Sequence, residues 1–313
     1  MNKILITGGA GFIGSHLAEE LLENGYEVAI IDNFLNGNKI PENIRPSIKI
    51  IEGDVRDNDL IKKESKGCSY IFHFAAFLGV DLVANNHIDT MLVESIGTQN
   101  VVNASIENNI EKLIYASTSG VYGKTAIEKS VREDFLVDPR TSYSIAKRFN
   151  EIYLNANYLE KKLNSISIRF FNVFGERQDN RMVIPRFIKQ ASLNEPLTIY
   201  GTGKQTRDFT YIKDVVSCIR LLSEKVVGCE IFNLCGDNEI SIYELAVLIK
   251  KMTNSNSQIK IIPMPGTRYD FEVERRSGDS DKLKKAIDKK PNTNIIDGLK
   301  ACIEEHLQNR NIQ

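Results

Sequence analysis

The sequence predicts an α/β protein built on a doubly wound parallel sheet, with a smaller second domain toward the C-terminus. Short runs of β-branched residues alternate with longer helical patterns through the first half of the chain. The strands are apolar throughout, which is typical of a parallel sheet covered by helices on both faces. The predicted strands are Lys3–Thr7, Glu27–Ile31, Ile48–Glu52, Tyr70–Phe74, Lys112–Ala116 and Ser165–Arg169.

Helical patterns fill the intervals between these strands. The predicted helices are Gly14–Asn24, Met91–Asn108 and Tyr143–Glu160. After about Phe170, strands become fewer and loops carry more Gly, Pro and Arg, which predicts domains at residues 1–170 and 171–313. Some segments of the second domain are expected to return to the first sheet. Ser241 and Glu244 have the spacing of a capping box ahead of a further helix.

The composition excludes several classes of protein. The 313 residues are 42% hydrophobic and 26% charged, unlike a disordered or collagen-like chain. The formal net charge of -1 lacks the basic surplus of a nucleic-acid-binding protein. No apolar stretch approaches the ~20 residues of a membrane helix, and the N-terminus has no signal-peptide pattern. We therefore expect no nucleic-acid partner and no membrane association.

The cysteines predict a reducing environment. Five cysteines form no CxxC pair, their number is odd, and the four histidines are scattered. This distribution predicts no metal site and a cytoplasmic location. The cysteines are Cys68, Cys218, Cys229, Cys235 and Cys302.

A glycine-rich loop joins the first strand to the first helix. Gly8, Gly11 and Gly14 are spaced as a variant of the Rossmann-type G-x-G-x-x-G loop, with Phe12 and Ile13 inside it. Glycines let the backbone turn tightly and approach a pyrophosphate, whose charge lies at the helix N-terminus. The loop predicts a dinucleotide-binding domain; the alternative is a glycine turn that binds no cofactor.

Acidic residues after the next two strands favour NAD as the dinucleotide. Asp32 ends the second strand, where a carboxylate can bind the ribose hydroxyls of adenosine. Asn33 follows it, in place of an arginine that would favour NADP. After the third strand come Asp54 and Val55, where Asp54 either binds the adenine amino group or caps a helix.

A Tyr-x-x-x-Lys motif marks a candidate for acid–base catalysis. Tyr143 and Lys147 lie one helical turn apart, and the ammonium favours the phenolate, so the tyrosine can act as a general base. This pair follows the hydroxyl cluster Ser117–Ser119 at a strand end, where parallel sheets bind ligands. Two other pairs have the same spacing and are expected at the surface: Tyr158/Lys162 and Tyr200/Lys204.

Six segments together resemble the extended short-chain dehydrogenase/reductases, and most closely their nucleotide-sugar epimerases and dehydratases. They follow that family's order: TGGAGFIG, HFAA (His73–Ala76), YASTSGVYG (Tyr115–Gly123), YSIAK (Tyr143–Lys147), RFFNVFG (Arg169–Gly175) and TRDFTYIKDV (Thr206–Val215). The resemblance implies NAD, with Phe74, Ala75 and Ala76 beside it. It also implies a homodimer formed by the helices at Met91–Asn108 and Tyr143–Glu160.

The resemblance also implies roles for individual side chains. Tyr143 takes a proton from a sugar hydroxyl that Thr118 hydrogen-bonds, Lys147 binds the nicotinamide ribose, and hydride passes from carbon 4 to NAD. The implied substrate is a nucleoside-diphosphate sugar. Its diphosphate is implied to contact Asn172, Arg207 and Arg268.

Two of the predicted substrate residues, Arg207 and Tyr200, each have an alternative structural role. Arg207 binds the diphosphate or pairs with the neighbouring Asp208. Tyr200 resembles the residue that packs on the uracil ring, and its alternative is ordinary core packing.

The residues before Val121 favour epimerisation. Family dehydratases have Thr-Asp-Glu there and related decarboxylases keep the glutamate, whereas this chain has Thr118, Ser119 and Gly120. Without those carboxyl groups, loss of water or CO₂ lacks support. Returning the hydride to the other face of a transient 4-keto-sugar inverts carbon 4. The resemblance therefore predicts a 4-epimerase of a UDP-sugar: a hexose, an N-acetylhexosamine or a hexuronate.

Two positions depart from the family pattern. Glu94 replaces the asparagine usual before x-x-Gly-Thr. Arg276 aligns near the position that gates sugar size, and it or Arg181 could face a uronate carboxylate; solvated loop arginines are the alternative. Two other functions stay open: a dehydratase or 4-dehydrogenase that releases a keto-sugar, and a non-catalytic NAD-binding regulatory scaffold.

Overall fold

The computed structural model describes residues 2–77, 83, 85–124, 130–264 and 273–311. Its strands are β1 (Lys3–Thr7), β2 (Glu27–Asp32), β3 (Ile48–Glu52), β4 (Tyr70–His73), β5 (Lys112–Thr118), β6 (Ser165–Phe170), β7 (Asn172–Phe174), β8 (Leu197–Tyr200), β9 (Thr206–Tyr211), β10 (Cys229–Leu234), β11 (Glu239–Ser241), β12 (Ile259–Ile262) and β13 (Arg275–Arg276). The predicted strands coincide with β1 to β6 to within one or two residues at either end.

The helices cover both faces of the large sheet. They are α1 (Phe12–Glu23), α2 (Asn58–Glu64), α3 (His87–Glu107), α4 (Ser142–Lys161), α5 (Val183–Ser192), α6 (Ile212–Lys225), α7 (Ile242–Met252), α8 (Asp281–Ile287) and α9 (Ile295–Asn311). α3 packs on α4, and α1 packs on α6. Within the described ranges, each helix is too short or too polar to span a bilayer.

A seven-stranded parallel sheet has the order β10-β6-β5-β4-β1-β2-β3. β2 and β3 are added on one side of β1, and β4, β5 and β6 are added on the other, so the order in which strands are added reverses between β1 and β4. A crevice at the carboxyl ends of these two strands is the place where such sheets bind ligands. The predicted Rossmann-type α/β fold is confirmed.

Alternate residues of the central strand enter two separate apolar cores. Ile4 and Ile6 join the core that includes α1 and α6, whereas Leu5 joins the core that includes α3 and α4. All three side chains are fully buried. Side chains of a strand alternate between its faces, and both faces are covered here, so the strands are apolar at every position.

The second part of the chain builds a smaller sheet beside the first. β9 pairs with β7, β11 and β13, while β8 pairs with β12. β10 instead joins the edge of the large sheet beside β6. Residues 1–170 and 171–313 as separate domains stay a prediction.

Two helix caps test the interpretation of local motifs. Ser241 Oγ accepts the N–H of Glu244 at 3.1 Å, and the Glu244 carboxylate accepts the N–H of Ser241 at 3.0 Å. The predicted capping box is therefore confirmed. The cap of α2 is Asp57, whose carboxylate accepts the N–H of Leu60 at 3.0 Å. The alternative role of Asp54 as a helix cap is wrong.

Candidate active site

A cleft of about 420 Å³ lies at the carboxyl ends of the parallel strands. Every residue predicted to contact the cofactor lines it: Gly8, Gly11, Phe12, Ile13, Gly14, Asp32, Asn33, Asp54, Val55, Phe74, Ala75, Ala76, Tyr143 and Lys147. Thr118 and Asn172 line the same cleft. The tertiary fold thus brings the glycine loop and the Tyr-x-x-x-Lys pair to one continuous site.

The glycine loop is packed so tightly that side chains would not fit. Gly8 has φ +71°, and a Cβ there would lie 2.6 Å from the backbone nitrogen of Ala75. A Cβ on Gly14 would lie 2.3 Å from the carbonyl oxygen of Gly8. The first turn of α1 carries no acidic residue of its own that would compete with a bound anion for the helix N-terminus. These features fit the pyrophosphate of a dinucleotide.

Asp32 lies at the end of β2 and is held by two backbone groups. Its Oδ2 accepts the N–H of Ala10 at 2.9 Å, and its Oδ1 accepts the N–H of Phe34 at 2.8 Å. Burial raises the pKa of Asp32, although these backbone bonds oppose the effect. The carboxylate therefore has a set orientation and still lines the cleft, as ribose binding requires.

Asp54 lies beside the same end of the cleft. It forms an ion pair with Arg56, at 2.7 Å between Oδ2 and Nη2. The hydrogen bonds from Arg56 lower the pKa of Asp54. Asp54 is thus an ionised acceptor, and its contact with adenine stays a prediction.

Tyr143 and Lys147 begin a helix that a capping box starts. Thr141 Oγ1 accepts the N–H of Ser144 at 3.1 Å, and Ser144 Oγ accepts the N–H of Thr141 at 3.0 Å. Lys147 Nζ lies 5.4 Å from the centroid of the Tyr143 ring. Burial raises the pKa of Tyr143 well above its usual range, and the charge of Glu94 raises it further. The other two Tyr-x-x-x-Lys pairs do not form helical pairs: Lys162 lies beyond α4, and Tyr200 ends β8.

Glu94, the residue at which the sequence departs from the family pattern, forms a buried ion pair with Lys147. Its Oε2 lies 2.9 Å from Lys147 Nζ, and both side chains are almost completely buried. The sequence indicates that Glu94 is unusual, but its partner lies on a different helix. No local pattern could have paired the two residues.

A second buried ion pair, between Arg169 of β6 and Glu151 of α4, lies next to β5. Arg169 donates from Nε and Nη2 to the two carboxylate oxygens of Glu151, at 2.9 and 2.8 Å. Ser117 Oγ donates to Glu151 Oε1 at 2.6 Å. The pair therefore anchors the end of β5, next to Thr118. Sequence reasoning missed it, although a charged residue inside an otherwise apolar strand was the available signal.

Three predicted substrate residues lie in the small sheet. Asn172 is in register with Phe209, and Arg276 is in register with Arg207. Residues two apart on a strand share a face, so Arg207 lies on the face of Phe209, which lines the cleft. Neighbouring residues face opposite sides, which disfavours the pairing of Arg207 with Asp208.

The remaining substrate predictions have separate outcomes. Arg207 Nη1 donates to the carbonyl oxygens of Thr206 and Val273, at 2.7 and 2.8 Å. The Arg186 guanidinium lies 5.2 Å from the centroid of the Tyr200 ring. Arg207, Arg276 and Tyr200 are not among the residues that line the described cleft, and their contacts with substrate stay predictions. Arg268 lies outside the described residues.

Arg181, which the sequence analysis offers as a partner for a uronate carboxylate, lies in a loop that lines one end of the cleft. Arg181 Nη2 donates to Asn36 Oδ1 at 2.7 Å, and Arg181 also forms an ion pair with Asp179 at 2.8 Å. Lys39 and Gln178 line the same region. Arg181 therefore lies at the end of the cleft that holds the loop after β2. This position disfavours a role for Arg181 in binding a uronate carboxylate.

Removing the ionisable group of Asp208 is expected to stabilise the folded protein by an amount that depends on pH. Burial, with nearby Asp237 and Glu239, raises its pKa from 3.8 to about 7. The unfolded chain therefore ionises at lower pH than the folded protein, and stability falls as pH rises between these two values. We expect Asp208→Asn to raise the free energy of unfolding by up to about 4 kcal/mol at pH 8 and to change it little at pH 4.

Urea denaturation across this pH range measures the effect. The control is Asp134→Asn, whose side chain is 69% exposed and which is not among the charges that act on Asp208. It is expected to change stability by less than about 1 kcal/mol at either pH. A gain for Asp208→Asn that is equal at pH 4 and pH 8 would contradict the assignment.

The fold and the cleft together are those of a dinucleotide-dependent enzyme. Comparison with known proteins gives the family. The sequence model of the NAD dependent epimerase/dehydratase family matches residues 4–235 of this chain. The chain belongs to this family. The predicted family and the NAD cofactor are confirmed, and membership favours an enzyme over a non-catalytic scaffold.

Relatives cover nearly the whole chain. The UDP-N-acetyl-alpha-D-glucosaminuronate decarboxylase of Bacillus cytotoxicus is 39% identical over 96% of this chain and 97% of its own. A putative UDP-glucose 4-epimerase of Methanocaldococcus jannaschii is 33% identical over 96% of this chain and 97% of its own. The crystal structure of UDP-glucose 4-epimerase from Thermotoga maritima with UDP-glucose has a TM-score of 0.93 at 30% identity, covering 98% of this chain and 99% of that chain.

Proposed function

We propose that the protein is a 4-epimerase of a UDP-sugar: a hexose, an N-acetylhexosamine or a hexuronate. The observation that carries this proposal is the chemistry of one end of the cleft, which we call the sugar end. Its described lining residues, Ser117, Thr118, Tyr143, Lys147 and Asn172, offer hydroxyl, amine and amide groups but no carboxyl group. Elimination of water needs a further acid or base, whereas inversion of carbon 4 does not.

Bound NAD supplies the chemistry of a hydride acceptor and donor. Tyr143 is the group that takes the proton from the hydroxyl on carbon 4 and returns it after inversion. Thr118 orients that hydroxyl from the end of β5. Lys147 holds positive charge beside Tyr143, which favours the phenolate. Asn172 and, on an adjoining strand, Arg207 are suited to the diphosphate, because an amide and a guanidinium group donate to phosphate oxygens, whereas Arg276 is the residue suited to face the sugar.

A second candidate is a decarboxylase of a UDP-uronate. The relative of Bacillus cytotoxicus at 39% identity supports it. A uronate oxidised at carbon 4 is a β-keto acid, which loses CO₂ without help from an acidic side chain. Gly120 in place of the glutamate of related decarboxylases therefore does not exclude this reaction. The same Thr118, Tyr143 and Lys147 would serve both reactions, and the substrate would decide between them.

A panel of UDP-sugars tests the proposal. The purified protein, with no added cofactor, is incubated with UDP-glucose, UDP-N-acetylglucosamine and the two corresponding uronates, and products are followed by anomeric-proton NMR and mass spectrometry. A 4-epimer of unchanged mass supports epimerisation. Loss of CO₂ selects the decarboxylase, and loss of water selects the dehydratase. No conversion of any UDP-sugar would overturn the choice of UDP and direct the panel to GDP, CDP and dTDP sugars.

We also propose that the protein is a homodimer through α3 and α4. Apolar side chains on the outer faces of these two packed helices are solvent-exposed: Leu92 by 38%, Ile96 by 39%, Ile152 by 54% and Leu159 by 62%. Phe149 extends the stripe along α4. Exposed apolar stripes of this kind mark protein interfaces, and a symmetric dimer would bury both.

Replacing one residue of the stripe is expected to separate the subunits. Ile152→Glu should give a monomer at micromolar concentration, measured by light scattering, because a carboxylate cannot be buried unpaired at the interface. Ile261→Glu is the matched control, since Ile261 is 52% exposed and lies on β12, which pairs with β8 away from α3 and α4. A monomeric unmodified protein, or an Ile152→Glu variant that stays dimeric, would refute the proposed interface.

The cysteines support a reducing, cytoplasmic location, which we also propose. All five are free thiols, and four of them are buried. Burial raises the pKa of each thiol, so each is a poor nucleophile at neutral pH. Localisation of the tagged protein by cell fractionation tests the proposal.

A further inference from the structure

The Lys147 ammonium has a second ionisable neighbour besides Tyr143, which is the carboxylate of Glu94. Lys147 Nζ lies 2.9 Å from Glu94 Oε2, with side-chain exposures of 1% and 0%. Its distance to the centroid of the Tyr143 ring is 5.4 Å. An ion pair at this distance inside the protein is screened little by solvent. The ammonium is thus already compensated before Tyr143 ionises.

Glu94 is held in this place by a polar network. Asn150 Nδ2 donates to the carbonyl oxygen of Glu94 at 2.9 Å and to Thr98 Oγ1 at 3.0 Å. His73 Nε2 lies 3.1 Å from the same Thr98 hydroxyl. One turn along α3, a Cβ on Gly97 would lie 2.6 Å from Val55, so the helix is packed closely against its neighbour. The backbone of α3 at Glu94 is therefore fixed against α4, and the Glu94 carboxylate lies beside Lys147 through their ion pair.

The other titratable groups around the Glu94–Lys147 pair come from three elements. Tyr143 faces it from α4, Tyr115 from β5 and His73 from β4. Burial and the nearby Lys147 lower the pKa of His73 to about 3, so that imidazole is neutral. Burial raises the pKa of Glu94, whereas Lys147, the Tyr115 hydroxyl and the N–H of Phe77 favour its ionised form.

Net charge decides which proton arrangement the site prefers. With Glu94 and Lys147 both ionised and Tyr143 protonated, the three groups carry no net charge. Ionising Tyr143 leaves a net charge of -1 in a buried site, which is costly. With an uncharged residue at position 94, the neutral arrangement is instead the Lys147 ammonium with the Tyr143 phenolate.

We propose that Glu94 is a positioning residue that takes the Lys147 ammonium as its ion-pair partner and keeps Tyr143 protonated to higher pH than an uncharged residue would. The inference rests on the proposed function only for the role of Tyr143 as the base. It concerns a residue at which this chain departs from the asparagine usual in the family. The consequence is an enzyme whose acid–base step is tuned toward alkaline pH.

Spectroscopic titration tests the proposal without turnover. The ionisation of Tyr143 in the full-length protein, as purified, is the absorbance change of tyrosinate that disappears in a matching Tyr143→Phe background. We expect Glu94→Gln and Glu94→Asn to move this ionisation to lower pH by at least about one unit. Glu94→Asp, which keeps the charge, should leave it close to its original position. An unchanged midpoint in Glu94→Gln would overturn the proposal.

The unmodified chain gives a second test in case the variants fold poorly. Its Tyr143 ionisation is expected above about pH 8, and a midpoint below about pH 7 would overturn the proposal. Activity gives a third readout. The acid limb of the kcat profile is expected to move with the spectroscopic midpoint in Glu94→Gln. Because the titration needs no substrate, failure of the UDP-sugar panel and failure of this proposal are distinguishable.

Discussion

Tyr143→Phe is expected to reduce kcat by at least about a hundredfold and up to ten-thousandfold, the range for loss of a general acid–base group. The variant removes only the hydroxyl, so the packing of the ring beside Lys147 is kept. The glycine loop and Asp32 remain in place, and bound NAD should be retained. The measurements are turnover of the preferred UDP-sugar and the NAD content of the purified protein.

Tyr158→Phe is the matched control. Tyr158 has the same Tyr-x-x-x-Lys spacing, but it lies in the last turns of α4, and its Lys162 lies beyond the helix end. We expect unchanged kcat for this variant. A Tyr143→Phe enzyme with more than about a tenth of the original activity would mean that another group carries the proton. Loss of NAD together with activity would instead assign Tyr143 to cofactor binding.

Arg169→Ala is expected to lower the free energy of unfolding by about 3–5 kcal/mol, because it leaves the Glu151 carboxylate buried without its main partner. Both side chains are almost completely buried, and two N–H groups of Arg169 donate to Glu151. Urea denaturation of the apolar double variant Arg169→Met, Glu151→Met is expected to recover much of this loss, since no uncompensated charge remains.

Arg148→Ala provides the control on the same carboxylate. Arg148 Nη1 lies 2.9 Å from Glu151 Oε2, but the Arg148 side chain is 31% exposed. Solvent screens this contact, so we expect a loss below about 1 kcal/mol. Equal losses for Arg148→Ala and Arg169→Ala would show that burial does not set the strength of the pair.

The part of the site that is encoded locally could be predicted from sequence. The glycine loop, Asp32 and the Tyr143–Lys147 pair each lie at the end of a strand or the start of a helix. Parallel strands all present their carboxyl ends at one edge, so these short motifs had to meet there. The cleft contains every predicted cofactor residue for this reason.

The partners of those motifs could not be predicted. Glu94 and Lys147 lie on different helices, and Glu151 and Arg169 lie on a helix and a strand. Each contact depends on how two elements pack, and periodicity within one element carries no information about it. The loop contact between Arg181 and Asn36 is of the same kind.

The reaction itself is not set by the catalytic motif. In the roles proposed for them, Thr118, Tyr143 and Lys147 can support both inversion of carbon 4 and decarboxylation, and a decarboxylase and a putative 4-epimerase both match nearly the whole chain. Under the proposed function the substrate decides between the two reactions, and the predicted substrate residues Asn172, Arg207 and Arg276 lie on adjoining strands of the small sheet.

The sequence by itself determined the α/β class, the dinucleotide loop and the Tyr143–Lys147 pair as the candidate for acid–base chemistry, because strand periodicity, glycine spacing and helical spacing are local properties of the chain. The tertiary structure alone decided which charges are paired inside the protein. Burial removes water from Glu94 and Lys147, and the resulting electrostatic coupling acts on Tyr143 through space rather than along the chain.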